Sequence, residues 1–266
     1  MVETPVSVEV QVEAPPTPPP ETTPAPLTKF KAVVSSGGKR GNAVFTTDLR
    51  GLVEVAATFS DKITFFVDVD GVKMRVLDSA KIALLDAMLP RSAFLAFDAD
   101  GVGHVTVDAK SLLSILRRAK SKGAELKYED GQLVVTIAGV HSFKIRTLEA
   151  SVEEVPQPKV NHTATAYVDV EALREAVIDA RIIKADAAKL VAENNTLTFK
   201  ASNETKEVEV RLSDAMGTAA SKYSLDYLAK ALKAFDDGIV EVRFADNAPL
   251  ELANSYAKIF IAPRIE

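Results

Sequence analysis

The strongest constraint on this chain is that its order of elements runs twice. From Phe30 the order is strand, helix, several strands, a second helix and a hairpin, closed by an edge-type strand, and after residue 160 it returns. The second helices superpose at one constant offset: Leu112, Leu116, Arg117 and Asp130 fall over Leu228, Leu232, Lys233 and Asp246. The first helices match at a slightly larger one, with Leu49, Arg50 and Val53 over Leu173, Arg174 and Val177. We read this as an internal duplication. Two helices against many strands leave each helix one surface to pack on, so each buries an apolar stripe against a sheet and turns its other face outward. The expectation is an α+β protein of two similar units, residues 29–148 and 161–266, joined by a linker.

In the first unit FKAVV reads as a strand and SSGGKRGN as a loop. A helix follows from Thr47, a candidate N-cap, to Ser60. KITFFVDVDGVKMRVLD reads as two strands around Asp70-Gly71, IALLDAML as a third and GHVTVD as another. Asp108 caps a helix from Ala109 to about Lys122. A hairpin turning at Asp130-Gly131 follows, and HSFKIRTL ends the unit. The second unit reads ATAYV, a helix from Val170 to about Ile183, then strands KLVAE, TLTFKAS and KEVEVRLS. SKYS, a helix from Leu225 to Phe235, the hairpin VEVRFADNAPLELA and the strand KIFIAP complete it. Between the units, residues 149–160 (EASVEEVPQPKV) are acidic, proline-bearing and aperiodic, as a linker should be.

Eight of the 13 prolines lie between Pro5 and Pro26. Proline has no amide donor and holds an extended backbone, so residues 1–28 read as a disordered, polyproline-like tail. A solvated tether is preferred over a ligand for a proline-reading module. The chain has no cysteine, which removes disulfides, thiolate metal sites and cysteine nucleophiles, and its three histidines argue against a multi-histidine cage. No cofactor or metal is expected. No apolar run approaches the roughly 20 residues needed to span a bilayer, and the N-terminus lacks a basic-then-apolar leader. An intracellular, cytoplasmic protein without a membrane partner is expected. The net charge is −5, but the tail holds Glu3, Glu9, Glu13 and Glu21 and no Lys or Arg, so the remainder is close to neutral. Acidity therefore does not exclude a nucleic-acid partner.

The outward helix faces favour one. On the helix from Ala109, the apolar Leu112, Ile115, Leu116 and Ala119 share one side, while Lys110, Ser114, Arg117 and Ser121 lie opposite, with Arg118 and Lys120 on the flanks. No acid occurs from Ala109 to Ala124. A solvated face mixes signs to gain i,i+4 pairs; this one forgoes them, as suits a polyanionic partner. The other helices show it more weakly: Lys230 and Lys233 share a face with Asp226, Arg174 and Arg181 flank Ile178, and Arg50 shares its face with Glu54. No exposed aromatic residues interleave with these cations, which disfavours base stacking, and no Arg/Asn/Gln cluster offers major-groove readout. Loose contact with duplex phosphates remains.

Other motifs are set aside. Asp68-Val69-Asp70-Gly71 lacks the third acid and distal Glu of a calcium loop and reads as a hairpin turn. Gly101-Val102-Gly103 lacks the third glycine of a dinucleotide fingerprint. His104, His141 and His162 have no partner at ligand spacing, and Ser79 has no nearby histidine base.

Taken together, VKMRVLDSAKIALLDAML, VDAKSLLSILRRA, the VEEVPQPK linker and the C-terminal KIFIAPRIE resemble the proliferating cell nuclear antigen family of DNA sliding clamps, the archaeal members above all, over residues 29–266. The resemblance implies two like-folded clamp domains per chain, and three chains, alike or different, closing a ring around duplex DNA. It implies a processivity factor of replication and repair, not an enzyme. The inner basic positions it points to are Arg50, Arg117 and Lys233, with Arg118, Arg174, Arg181 and Lys230 nearby; the charge pattern of the helix from Ala109 adds Lys110 and Lys120 to the DNA-binding candidates. Ser114 and Ile178 depart from it, standing where family members often carry a basic residue. A hydrophobic pocket under the linker is implied for short motifs of DNA polymerase, clamp loader, flap endonuclease and ligase. Its matching positions are Leu77, Ile82, Val155, Pro156, Pro249, Phe260, Ala262 and Pro263. HSFKIRTL and KEVEVRLS match the strands that join chains head to tail, Lys144 and Arg146 on one complementing Glu207 and Glu209 on the other. The alternatives are a checkpoint-type clamp or interaction scaffold without a replication role, and a metal-dependent hydrolase whose acids assemble only in the fold.

Overall fold

Burial with a period of two builds the sheets. In β2 (Lys62–Asp68) Ile63, Phe65 and Val67 are buried and the residues between them are not, and β8 (Gln132–Ile137) repeats this with Leu133, Val135 and Ile137. The computed structural model describes residues 26–36, 44–149 and 155–265. Most of the expected tail, the loop 37–43 and the acidic part of the linker, 150–154, lie outside the described residues.

The first half contains β1 (Phe30–Val34), α1 (Thr46–Phe59), β2, β3 (Gly71–Leu77), β4 (Ala83–Pro90), β5 (Ala96–Ala99), β6 (Gly103–Asp108), α2 (Ala109–Ala119), β7 (Ala124–Glu129), β8 and β9 (His141–Arg146). The second contains β10 (Ala164–Asp169), α3 (Val170–Ile182), β11 (Ala187–Glu193), β12 (Thr196–Ser202), β13 (Glu207–Gly217), β14 (Ala219–Ser224), α4 (Leu225–Ala231), β15 (Ile239–Phe244), β16 (Leu250–Ala253) and β17 (Ala257–Ile261). Strand order repeats between them: β6-β2-β3-β4 is matched by β14-β11-β12-β13, and β1-β7-β8-β9 by β10-β15-β16-β17. β5 has no separate counterpart, because β13 continues through the equivalent corner to pair with β10.

The halves are joined through their backbones. β17 pairs antiparallel with β4, from Ala257 opposite Ala87 to Ile261 opposite Ala83, so a single 12-stranded sheet crosses the boundary. Behind it the helices form a continuous row: α2 contacts α1, α1 contacts α4 and the 3-10 turn Leu232–Ala234, and α4 contacts α3. Gly51 permits the closest approach, since a Cβ there would sit 2.4 Å from the Lys233 carbonyl oxygen.

Local chemistry sets the helix ends, with three corrections to the sequence reading. α1 starts at Thr46, and the carboxylate of Asp48, not Thr47, serves the start by accepting the Phe45 N–H at 3.0 Å. α2 stops at Ala119, because Lys120 turns to φ 54°. α4 ends at Ala231 and tightens into the 3-10 turn instead of running to Phe235. Asp108 does cap α2, accepting from Ser111 N at 2.7 Å, and Asp130-Gly131 turns its hairpin with both φ positive.

Gly51→Ala tests the join. Helix propensity alone favours Ala by about 1 kcal/mol, whereas overpacking against a backbone oxygen costs about 1–3 kcal/mol. We expect a net loss of stability and a lower urea midpoint; an unchanged or higher midpoint would show that α1 and the second half move apart freely.

Candidate nucleic-acid and partner interfaces

The cations of α2 are not as unpaired as its own sequence suggests. Asp61, in the turn after α1, lies 2.8 Å from Lys110 Nζ, and Glu54 Oε1 of α1 lies 3.1 Å from Arg117 Nη2. The same Glu54 oxygen is 3.1 Å from Lys233 Nζ of the second half. These contacts place α1, α2 and the 3-10 turn on a shared face. Further along the row, Asp226 lies 2.6 Å from Lys230, which also sits over the Tyr227 ring, and 3.9 Å from Arg181. Arg50, Arg118 and Lys120 have no ion-pair partner among the described residues. The face is therefore basic but interleaved with acids supplied by neighbouring elements.

Arg174 requires a correction. Its guanidinium donates to the carbonyls of Leu232 at 3.2 Å, Asp236 at 2.9 Å and Phe235, and pairs with Glu171 at 3.0 Å. It ties α3 to the end of the α4 segment, whose last carbonyls need donors, so both of its terminal nitrogens are already engaged within the chain. Of the two positions that depart from the resemblance, the Ser114 hydroxyl on α2 returns to the Ser111 carbonyl at 2.8 Å, and Ile178 on α3 is exposed.

On the sheet side, a groove of about 210 Å³ crosses the β4–β17 junction. It gathers Leu77, Ile82, Val155, Pro156, Pro249, Phe260 and Ala262 from both halves and the linker. Pro263 follows directly but is not in the lining. Lys81, Ala83, Leu84 and Pro158 also line it and were not expected; the alternation of IALLDAML could have marked Leu84, but nothing marks Pro158.

Three contacts hold the groove walls. Arg75 forks onto Asp86 at 3.0 and 3.1 Å and donates to the Val155 carbonyl at 2.7 Å, fixing the linker over β3 and β4. Ala262 N donates to the Ile82 carbonyl at 2.8 Å. The Tyr227 hydroxyl donates to buried Asp78 at 2.7 Å; burial and the adjacent carboxylate push this phenol up to about 12, so it remains a donor. Where the linker enters β10, His162 lies 3.7 Å from Glu251, and burial holds its pKa below the usual value despite that carboxylate.

Among the strands paired on one side only (β5, β6, β9, β14 and part of β13), two carry the charges singled out in the sequence. β9 ends the five-stranded sheet with Lys144 and Arg146 exposed, and residues 207–213 of β13 are paired on one side only, with β12. Among the described residues no group of three or more His, Cys, Asp or Glu could hold a metal, and no helix is long and apolar enough to cross a membrane.

A duplicated sheet framework backed by a row of helices, of which α2 is strongly basic, with an apolar groove across its internal joint, defines the DNA-clamp class of fold. No family model matches the chain. The DNA polymerase sliding clamp of Thermofilum pendens is 30% identical over 234 residues, covering 81% of this chain and 94% of that relative. That of Pyrococcus horikoshii is 29% identical over the same shares. PCNA from Thermococcus kodakaraensis superposes with a TM-score of 0.78 at 27% identity, over 88% of this chain and all of that one. PCNA of A. fulgidus, solved with the C-terminal region of FEN-1 bound, shares the fold with a TM-score of 0.78 at 19% identity, over 89% of this chain and 99% of that one. The chain belongs to the DNA polymerase sliding clamp family, the PCNA-type clamps.

Arg75→Ala should release the linker. We expect faster tryptic cleavage after Lys159 and a stability loss of about 1–3 kcal/mol from the half-buried Asp86 left unpaired. Unchanged cleavage would mean that the linker holds its place without Arg75.

Proposed function

We propose that this chain is a non-catalytic processivity clamp, of which three copies close into a ring around duplex DNA and tether replication and repair proteins. The observation that carries this reading is the β4–β17 junction. Strand registers make β17 the counterpart of β9, with Phe260 standing where Lys144 stands, and β4 the counterpart of β13, with Leu84 where Glu207 stands. The chain uses one strand of each kind internally and leaves one of each open. A second copy can repeat the internal joint at these edges, and a head-to-tail joint repeated by rotation closes a ring. Transferring the internal register, in which Phe260 faces Leu84, sets Lys144 opposite Glu207 and Phe143 opposite Val208. Arg146 and Glu209 flank this contact. Because both complementary edges belong to one chain, we favour a ring of identical copies over a mixed one.

The helix row then lines the hole. Arg50, Lys110, Arg117, Arg118, Lys120, Arg181, Lys230 and Lys233 would meet phosphates of any sequence, while the ring supplies retention by topology. The groove at Leu77, Ile82, Val155, Pro156, Pro249, Phe260 and Ala262, with Pro263 at its rim, would take a short hydrophobic motif of a polymerase, clamp loader, flap endonuclease or ligase.

Two experiments test this. Lys144→Glu should dissociate the ring, read as a fall in mass by light scattering, and adding Glu207→Lys should restore it; failure of the double exchange to restore mass would refute the register. Arg117→Glu with Arg118→Glu should shorten retention on circular duplex DNA by about tenfold or more while the melting curve holds. Unchanged retention would remove α2 from the DNA-facing surface.

A further inference from the structure

Glu54 occupies a place that a polyanion-facing surface would not be expected to give an acid. It projects from α1 between α2 of its own half and the 3-10 turn of the other, and its Oε1 accepts from Arg117 and Lys233 at 3.1 Å each. Its side chain is 22% exposed, whereas the Lys110–Asp61 pair on the same face is 73% and 80% exposed. The exposed pair is screened and contributes little; at Glu54 the carboxylate is sheltered, although Arg117 and Lys233 themselves are 58% and 47% exposed. Partial burial alone would raise the Glu54 pKa, but the hydrogen bond and charge of Lys233, and then Arg117, hold it below the usual carboxylate range, so it is fully charged at neutral pH.

We propose that Glu54 is a resident counter-anion of the DNA-facing surface, taking one donor of Arg117 and one of Lys233 and offsetting their charge, and so setting how weakly that surface holds duplex DNA. This rests on the ring reading above. A phosphate that reaches either cation finds one donor already taken and must use the others, Nε and Nη1 of Arg117 or the remaining N–H groups of Lys233, beside a tethered carboxylate that is a like charge. Glu54 thus weakens the lining at two cations per copy without removing either. Because those cations come from different halves, one acid tunes the surface where the halves meet. Glu54 is a positioning residue here: it acts through Arg117 and Lys233 and need not touch DNA.

The test is equilibrium association of the full chain with a short linear duplex across a salt titration. Glu54→Gln keeps the shape and the acceptor oxygen but removes the charge. We expect it to bind about fivefold tighter or more at low salt, with a log–log salt slope steeper by about one to two, as newly available cations neutralise phosphates. A purely structural role for Glu54 would leave that slope unchanged or weaken binding. Glu54→Asp, one methylene too short to span both cations, should show an intermediate gain and serves as the readout if the Gln variant does not fold. Arg117→Glu is measured alongside. If it weakens binding while neither Glu54 variant tightens it, the Glu54 inference falls and the ring reading stands. If Arg117→Glu also has no effect, the lining itself is wrong.

Discussion

The structure depends on backbone hydrogen bonding between the last strand of one half and the fourth strand of the other. Edge strands carry a row of N–H and C=O groups that need partners, and β17 and β4 satisfy each other over five residue pairs. That joint fixes where the halves sit. It brings Lys233 over Gly51 on the helix side, and it brings Phe260 and Leu84 under the linker on the sheet side. The helix row and the groove are thus opposite consequences of one pairing.

Much of this was legible in the sequence because it is local. Alternation in KITFFVD and GVKMRVL, the Asp-Gly turns and the Asp108 cap each follow from nearest neighbours, and the duplication follows from comparing the chain with itself. β5 escaped notice, being four residues long with little alternation of its own. The long-range contacts were not legible. A helical wheel places Arg174 on an outward face, but it cannot show that the carbonyls ending the α4 segment lie beside that face and claim the guanidinium. Nor can the acid-free sequence of α2 show that Asp61 and Glu54 arrive from another element. The groove residues were named through family resemblance; chemistry alone gave no reason to join Leu77 to Phe260, far apart in sequence. Arg75, a charge in an alternating strand, gave no hint that it would grip the linker.

Comparing the two halves position by position separates what the fold requires from what the ring requires. At the internal junction Leu84 faces Phe260, an apolar contact that salt does not weaken and that the covalent linker keeps at high effective concentration. At the equivalent positions on the open edges stand Glu207 and Lys144, both exposed. An exposed ionic pair at that position is screened by salt and adds only modestly to the backbone pairing of the proposed joint. On the proposed ring, the duplicated framework would offer one closure that holds within a chain and one that yields between chains. In the proposed ring, which would have to open to admit a duplex and close to keep it, the weaker joint would fall at the subunit boundary, and the divergence of one residue pair from apolar to ionic would supply that asymmetry without altering the sheet.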